Sequence, residues 1–229
     1  MKNDQQLRQR FALVHDGSNQ GWQAAYLAIH VAARLGAPLQ VWLTDSSTDT
    51  EALAQRAAQL EIGGRAAGVT LETQIVRDFS LRTFAHWDIT SLNGMFFPHR
   101  LLAGDDAAAR LLGGLSCPVW IVANEPKTLT MAVLVDDPIG DRELILYAAL
   151  MSQRMSEAIT GLAVNTMPLE KLEAAAELAW FSLHDFSSPA ILSALEQLHV
   201  DLLFLGLANF SLVRSLKCTC IVYPDVKSP

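Results

Sequence analysis

A chain of 229 residues with 24 acidic and 17 basic side chains carries a net charge of −7 and no basic stripe, which excludes a nucleic-acid backbone as the expected partner. Its apolar fraction of 51% is high, yet no apolar run approaches the ~18 residues a spanning helix needs, so no membrane partner is expected either. The first six residues, Met1-Lys2-Asn3-Asp4-Gln5-Gln6, lack the apolar core of a signal peptide, and the expected location is cytoplasmic.

Strands and helices alternate from the start. Residues 11–14 read as a short buried strand, after which Ser18 or Asn19 caps a helix whose apolar positions Trp22, Ala25, Tyr26, Ile29 and Ala33 recur at helical spacing. Gly36 ends that helix and Pro38 prevents its resumption. A strand at 39–43 follows, then an Ala-rich helix at 51–67 closed by Gly68, a strand at 70–76 and a short helix at 81–86. A fourth strand at 95–97, a helix at 106–112 and a fifth strand at 119–122 complete the series, and residues 124–127 read as a linker.

The second half runs in the same order. Its strand at 131–135 leads through Asp141, an N-cap, into a helix at 142–157; a strand at 159–164, a shortened helix at 169–179 and a strand at 180–184 follow. Pro189 opens a helix to 198, and strands at 201–205 and 219–223 close the chain. Two passages repeat. Phe11-Ala12-Leu13-Val14-His15-Asp16 returns as Met131-Ala132-Val133-Leu134-Val135-Asp136, and Leu115-Ser116-Cys117-Pro118-Val119-Trp120-Ile121-Val122 returns one residue shorter as Leu216-Lys217-Cys218-Thr219-Cys220-Ile221-Val222. The chain therefore reads as two α/β units, 1–126 and 127–229, each a small doubly wound parallel sheet covered by helices on both faces. The two closing strands, short and apolar, would expose edges if unpaired, so they are expected side by side and antiparallel in an intramolecular pseudo-dimer.

Cys117, Cys218 and Cys220 sit in apolar strand-like runs and are expected to be reduced, buried thiols. Cys218 and Cys220 resemble half a metal site, but no second pair at ligand spacing completes it. His15, His86, His99 and Arg100 are not tied by spacing to any nucleophile. There is no G-x-S-x-G elbow, no H-E-x-x-H and no Walker loop, and no enzyme is expected.

In open α/β sheets a ligand sits beyond the carboxyl ends of the strands, where the first unit gathers His15-Asp16-Gly17-Ser18, Thr44-Asp45 and Pro98-His99-Arg100. Val14-His15-Asp16-Gly17-Ser18, the long helix after it, Ala33-Arg34-Leu35-Gly36-Ala37 and the next strand together resemble the opening of the universal stress protein domain. Cys117-Pro118-Val119-Trp120-Ile121-Val122 resembles that domain's closing strand. Residue patterns carry the likeness over about a third of the first unit, and element order carries the rest. The resemblance implies a Rossmann-like, tandem member of a cytoplasmic stress-response family whose domains pair through their last strands, some members binding ATP and others not.

The ATP-binding members carry Gly-x2-Gly-x9-Gly followed by Ser or Thr after strand four, a loop that wraps phosphates with backbone amides at a helix N-terminus. Here Gly104 matches the third glycine, Asp105 replaces the Ser or Thr, and Gly94, ten residues earlier, is read as preceding the strand. Asp105 and Asp106 occupy the positive end of the next helix; a carboxylate about 4 Å from a phosphate costs ~1 kcal/mol in water and ~4 kcal/mol at a protein surface. In the second unit Gly206 matches only the first glycine, and Asp137-Pro138 replaces the Gly-Ser of the first turn. The expectation is a non-enzymatic protein that has lost nucleotide binding and acts through contacts with proteins not identified by the sequence, with a homodimer as a further option. No cofactor is expected. The alternative is an ATP or AMP sensor in unit one using Asp16, Gly17, Ser18, His99, Arg100 and Gly104; Asp16 matches the family's Asp near ribose and adenine.

Overall fold

The computed structural model describes residues 10–45, 50–77, 92–102, 108, 112, 114–124, 126, 128–137, 139–164 and 178–224. The first half contributes strands β1 (Arg10–His15), β2 (Leu39–Asp45), β3 (Leu71–Arg77), β4 (Leu92–Pro98) and β5 (Val119–Val122), with helices α1 (Asn19–Leu35), α2 (Thr50–Ala66) and α3 (His99–Leu102). The second half contributes β6 (Met131–Leu134), β7 (Ile159–Val164), β8 (Ala179–Leu183), β9 (Leu202–Gly206) and β10 (Thr219–Tyr223), with α4 (Arg142–Met155), α5 (Ser188–Gln197) and a 3-10 helix over Leu207–Ser215.

These strands form one sheet in the order β3-β2-β1-β4-β5-β10-β9-β6-β7-β8. Every pairing is parallel except one: β5 and β10 run antiparallel, with Ile121 opposite Cys220, Trp120 opposite Ile221 and Val119 opposite Val222. Read outward from that junction, both halves have the same order, the pseudo-dimer expected from the repeat. The reason is visible in burial. β4, β5 and β9 are buried along their whole length, as parallel strands covered on both faces must be. β3, at one edge, alternates between half-buried and exposed.

The pleat sends alternate residues into two cores. Phe11, Leu13, Phe96, Trp120, Phe204 and Ile221 pack under α1, α2 and α4. Val14, Met95, Phe97, Ile121, Leu203 and Cys220 pack on the other side with residues of α3, α5 and the 3-10 helix. Trp120 joins the halves: fully buried, its ring lies 4.9 Å from Phe96 and 6.4 Å from Phe204. Arg34 donates across the junction to the Met155 carbonyl at 3.0 Å, and Asn124 Nδ2 donates to the Lys217 carbonyl at 2.9 Å.

α1 begins where expected, with the Ser18 hydroxyl accepting from Gly21 N–H, and ends at Gly36, whose φ of 63° is the left-handed conformation that glycine adopts without cost. Its buried face keeps Ala25 and Ile29 from the one read in the sequence, and extends beyond it. Gly21, Ala24, Ala25, Ala28, Val31 and Ala32 face the sheet, Ala33 is exposed and Tyr26 is 57% exposed. Small residues let the helix backbone lie close on β1 and β4; Tyr26 and Ala33 are turned outward, while Trp22 packs half-buried against the core.

Three more expectations change. Gly94 does not precede the fourth strand but lies inside β4, where a Cβ would come within 3.1 Å of the Phe11 ring and 3.2 Å of the Trp120 indole nitrogen. Asp141 holds the N-cap position of α4 without capping it, since its carboxylate turns back to the preceding loop. Ala179, read as the end of a helix, opens β8. The helices expected at 81–86 and over most of 169–179 lie outside the described residues, as does most of that at 106–112, of which Ala108 and Leu112 are helical and buried. The nine-residue 3-10 helix after Gly206 had no counterpart in the sequence reading.

Candidate functional site

At the carboxyl edge of the first half, β1 delivers His15 and Asp16 to the turn that starts α1. His15 is fully buried, and its ring meets Trp22 edge-on at 4.6 Å. Burial, helped by the Arg56 charge and opposed by Asp16, lowers its pKa to about 4, so the imidazole is neutral at pH 7. Nδ1 accepts from Gly17 N–H at 3.2 Å, which assigns the proton to the buried Nε2. The basic nitrogen is thus occupied by the chain itself. Gly17 has a φ of 76°, and the Arg56 guanidinium lies over it where a Cβ would stand, so any other residue would be strained and would push the guanidinium aside.

Asp16 is the centre of the cluster. Its Oδ1 accepts from Ser18 N–H at 3.1 Å and from the Ser18 hydroxyl at 2.6 Å, and its Oδ2 accepts from Arg100 Nε at 2.5 Å. The side chain is only 6% exposed, whereas that of Arg100 is 55% exposed. Burial works against the carboxylate, yet the bonds from Ser18 and Arg100 outweigh it and lower the Asp16 pKa. Gln20 completes the closure by accepting from Arg100 N–H at 3.0 Å and donating to the Ala123 carbonyl at 3.4 Å. The outcome is a turn stitched to the end of β4 and the end of β5.

A second copy of the local motif separates what is structural here from what is particular. At the start of α5, Asp185 accepts from Ser187 N–H at 3.0 Å and from the Ser187 hydroxyl, which in turn accepts from Ala190 N–H at 3.4 Å. Asp-x-Ser is therefore a helix-opening device in this chain, used also at an exposed position. What marks Asp16 is its burial and its arginine. The Asp16–Ser18 contact does not make a nucleophile: a carboxylate with a lowered pKa is a weak base, and the hydroxyl is already engaged as the α1 cap.

Of the residues expected at this edge, Asp16, Gly17, Ser18 and Arg100 converge. His99 does not. Its Nε2 lies 3.1 Å from the Val213 carbonyl of the 3-10 helix, because consecutive helical residues point about 100° apart and Arg100 takes the direction of Asp16. Gly104, Asp105 and Asp106 lie outside the described residues. Arg56 and Gln20 were not singled out from sequence. Arg56 sits on a different helix, 39 residues beyond Gly17, and nothing local signals the contact.

The corresponding edge of the second half holds an internal carboxylate as well. Asp141 Oδ2 accepts from Asp136 N–H at 2.8 Å and from Asp137 N–H at 3.1 Å, while Oδ1 stands 3.3 Å from where a Cβ on Gly206 would be. Burial raises the Asp141 pKa, the two amides oppose it, and the charges of Asp136 and Asp137 add to the rise. The amides that follow β6 and the space before the first glycine of the expected loop are filled by the protein's own acid. No group of three or more metal-ligating side chains occurs among the described residues.

The fold is similar to the crystal structure of a universal stress protein from Archaeoglobus fulgidus DSM 4304, with a TM-score of 0.68 and 12% identity over 94% of this chain and 98% of that one. A universal stress protein crystallised in complex with cAMP matches 50% of this chain and 96% of its own, at 16% identity and a TM-score of 0.38. A protein from the universal stress protein family from Burkholderia pseudomallei matches 49% of this chain and 94% of its own, at 20% identity and a TM-score of 0.35. No family sequence model and no curated protein matches the chain.

Proposed function

We propose that this chain is a tandem universal stress protein that has lost nucleotide binding and acts in the stress response of the cytoplasm through protein contacts, without enzymatic activity. The observation that carries the reading is the state of Asp16. The residue that the family resemblance places near ribose and adenine uses both oxygens on Ser18 and Arg100, and Arg56 covers the adjacent glycine. Asp141 supports it from the other half, holding two loop amides that a phosphate would need. A nucleotide entering either edge would first displace a charge-assisted bond and then face the displaced carboxylate.

Calorimetric titration of the full chain with ATP, ADP and AMP tests this directly. No binding heat is expected at millimolar nucleotide. A ligand at a hundred times its Kd would also add about 2.7 kcal/mol to folding stability, a melting shift of several degrees for a chain of this size. Such a shift, abolished by Asp16→Ala, would establish the adenosine sensor of unit one in place of this proposal.

A further inference from the structure

Beside the β5–β10 junction, on the face that carries α5 and the 3-10 helix, lies a cleft of about 1020 Å³ whose wall includes Asn124, His199, Asp201, Lys217 and Cys218. Cys218 is half-buried there, immediately before β10, while Cys220 is 1% exposed beneath it. Residues two apart in an extended chain share a side. The Cys220 thiol points back towards Cys218, donating to its carbonyl at 3.7 Å. Cys117 differs in every respect: it is buried with no neighbouring thiol described, and burial pushes it up to about 12.

We propose that Cys218 is the residue at which hydroperoxides oxidise this chain and that Cys220 resolves the product as a Cys218–Cys220 disulfide. The Cys218 thiolate attacks the peroxide; the O–O bond breaks, an alcohol or water leaves with a proton, and Cys218 becomes a sulfenic acid. The Cys220 sulfur then attacks Cys218. An S–S bond forms, the S–O bond breaks, and the hydroxide departs with the Cys220 proton as water, so that two thiols are oxidised and one peroxide is reduced.

The site suits each step. The cleft admits a small oxidant to Cys218 but not to Cys117. The Cys220 S–H favours the Cys218 thiolate and lowers its pKa against the effect of burial, whereas that contact, together with burial, holds Cys220 protonated until it is needed. Two extended residues span about 6.6 Å between Cα atoms, inside the upper limit for a disulfide of about 6.8 Å, so closure needs a modest contraction. The contraction falls on Thr219, whose amide donates to the Asp201 carbonyl at 2.9 Å and whose hydroxyl donates to the Asn124 carbonyl at 3.3 Å. Oxidation therefore loosens a contact between the two halves.

The test is peptide-mapping mass spectrometry of the full chain treated with hydrogen peroxide at pH 7 and then alkylated under denaturing conditions. A linked Cys218–Cys220 peptide is expected, with Cys117 recovered alkylated. In Cys220→Ala, dimedone should trap Cys218 as sulfenic acid and the linked peptide should vanish. Independently of any variant, iodoacetamide should label native Cys218 at least about tenfold faster than Cys117. Equal labelling or equal oxidation of Cys117 and Cys218 would overturn the assignment of Cys218. Oxidised Cys218 without the linked peptide in the parent chain would overturn the role of Cys220.

Discussion

Replacing Asp16 with alanine removes the acceptor of three hydrogen bonds at once, and the structure sets the size of the loss. The Arg100 contact counts for little, because a pair whose arginine is 55% exposed contributes about 0–1 kcal/mol after solvent screening. The bonds from the Ser18 amide and hydroxyl to a carboxylate that is 6% exposed matter more; bonds to charged groups contribute about 1.5–3 kcal/mol where both partners are shielded, and less for a local pair such as this one. The Ser18 hydroxyl still caps Gly21 in the variant, so α1 keeps its first turn. The net expectation is a loss of about 2–3 kcal/mol, which in a chain of this length lowers Tm by about 4–12 °C.

The pH dependence distinguishes this cause from a packing defect. The Asp16 pKa is lowered on folding from a reference of 3.8, so its contribution is fully present above that value and is lost as the pH falls through the folded value. Melting curves of the parent and Asp16→Ala should therefore differ at pH 7 and converge below about pH 3.8. Arg100→Ala should lower Tm by no more than about 4 °C. Identical melting of parent and Asp16→Ala at pH 7, or a gap that persists unchanged at pH 3, would refute the closed turn.

Two other substitutions probe the rest of the arrangement. Trp120→Ala empties the centre of the aromatic cluster between the halves and should cost about 3–5 kcal/mol, a drop of about 6–20 °C in calorimetric Tm, with both halves losing stability together rather than one. Asp141→Asn keeps an oxygen for the Asp136 and Asp137 amides and should stay within about 1 kcal/mol of the parent, whereas Asp141→Ala returns both exposed amides to water and should be about 1–2 kcal/mol less stable in urea unfolding.

The order of elements was legible because apolar runs, caps and closing glycines are local signals. The strand at 119–122 and that at 219–223 were found at their true bounds, and their antiparallel pairing followed from the need to cover two short apolar edges. Legibility failed where distant contacts decide. The apolar periodicity of α1 places Ala25 and Ile29 on the buried face, but a close helix–sheet approach adds Gly21, Ala24 and Ala28 and leaves Tyr26 and Ala33 outside it. β4 runs through Asn93 and Gly94, poor strand residues, because the rings of Phe11 and Trp120 need the missing side chain. Asp16 and Ser18 are legible as a turn, yet the partners that close it come from α2 and from α3, Arg56 and Arg100.

The proposed loss of nucleotide binding would be written in this sequence by what is added as well as by what is missing. A degenerate glycine loop suggests loss only by omission, and an omission is compatible with a different loop doing the same work. A carboxylate of the chain placed on the turn amides is a positive feature, because it occupies donors that an anion would otherwise find free. Asp16 and Asp141 do this on the two halves with different geometry, one through a serine and an arginine, the other through two successive amides. The two solutions also differ in charge balance. Arg100 neutralises Asp16, whereas Asp141 sits beside Asp136 and Asp137 with its pKa raised. On the proposed reading, the second edge is expected to repel a phosphate more strongly than the first, and any residual affinity for an anion is expected in the first half, where moving one exposed arginine side chain is the smaller change.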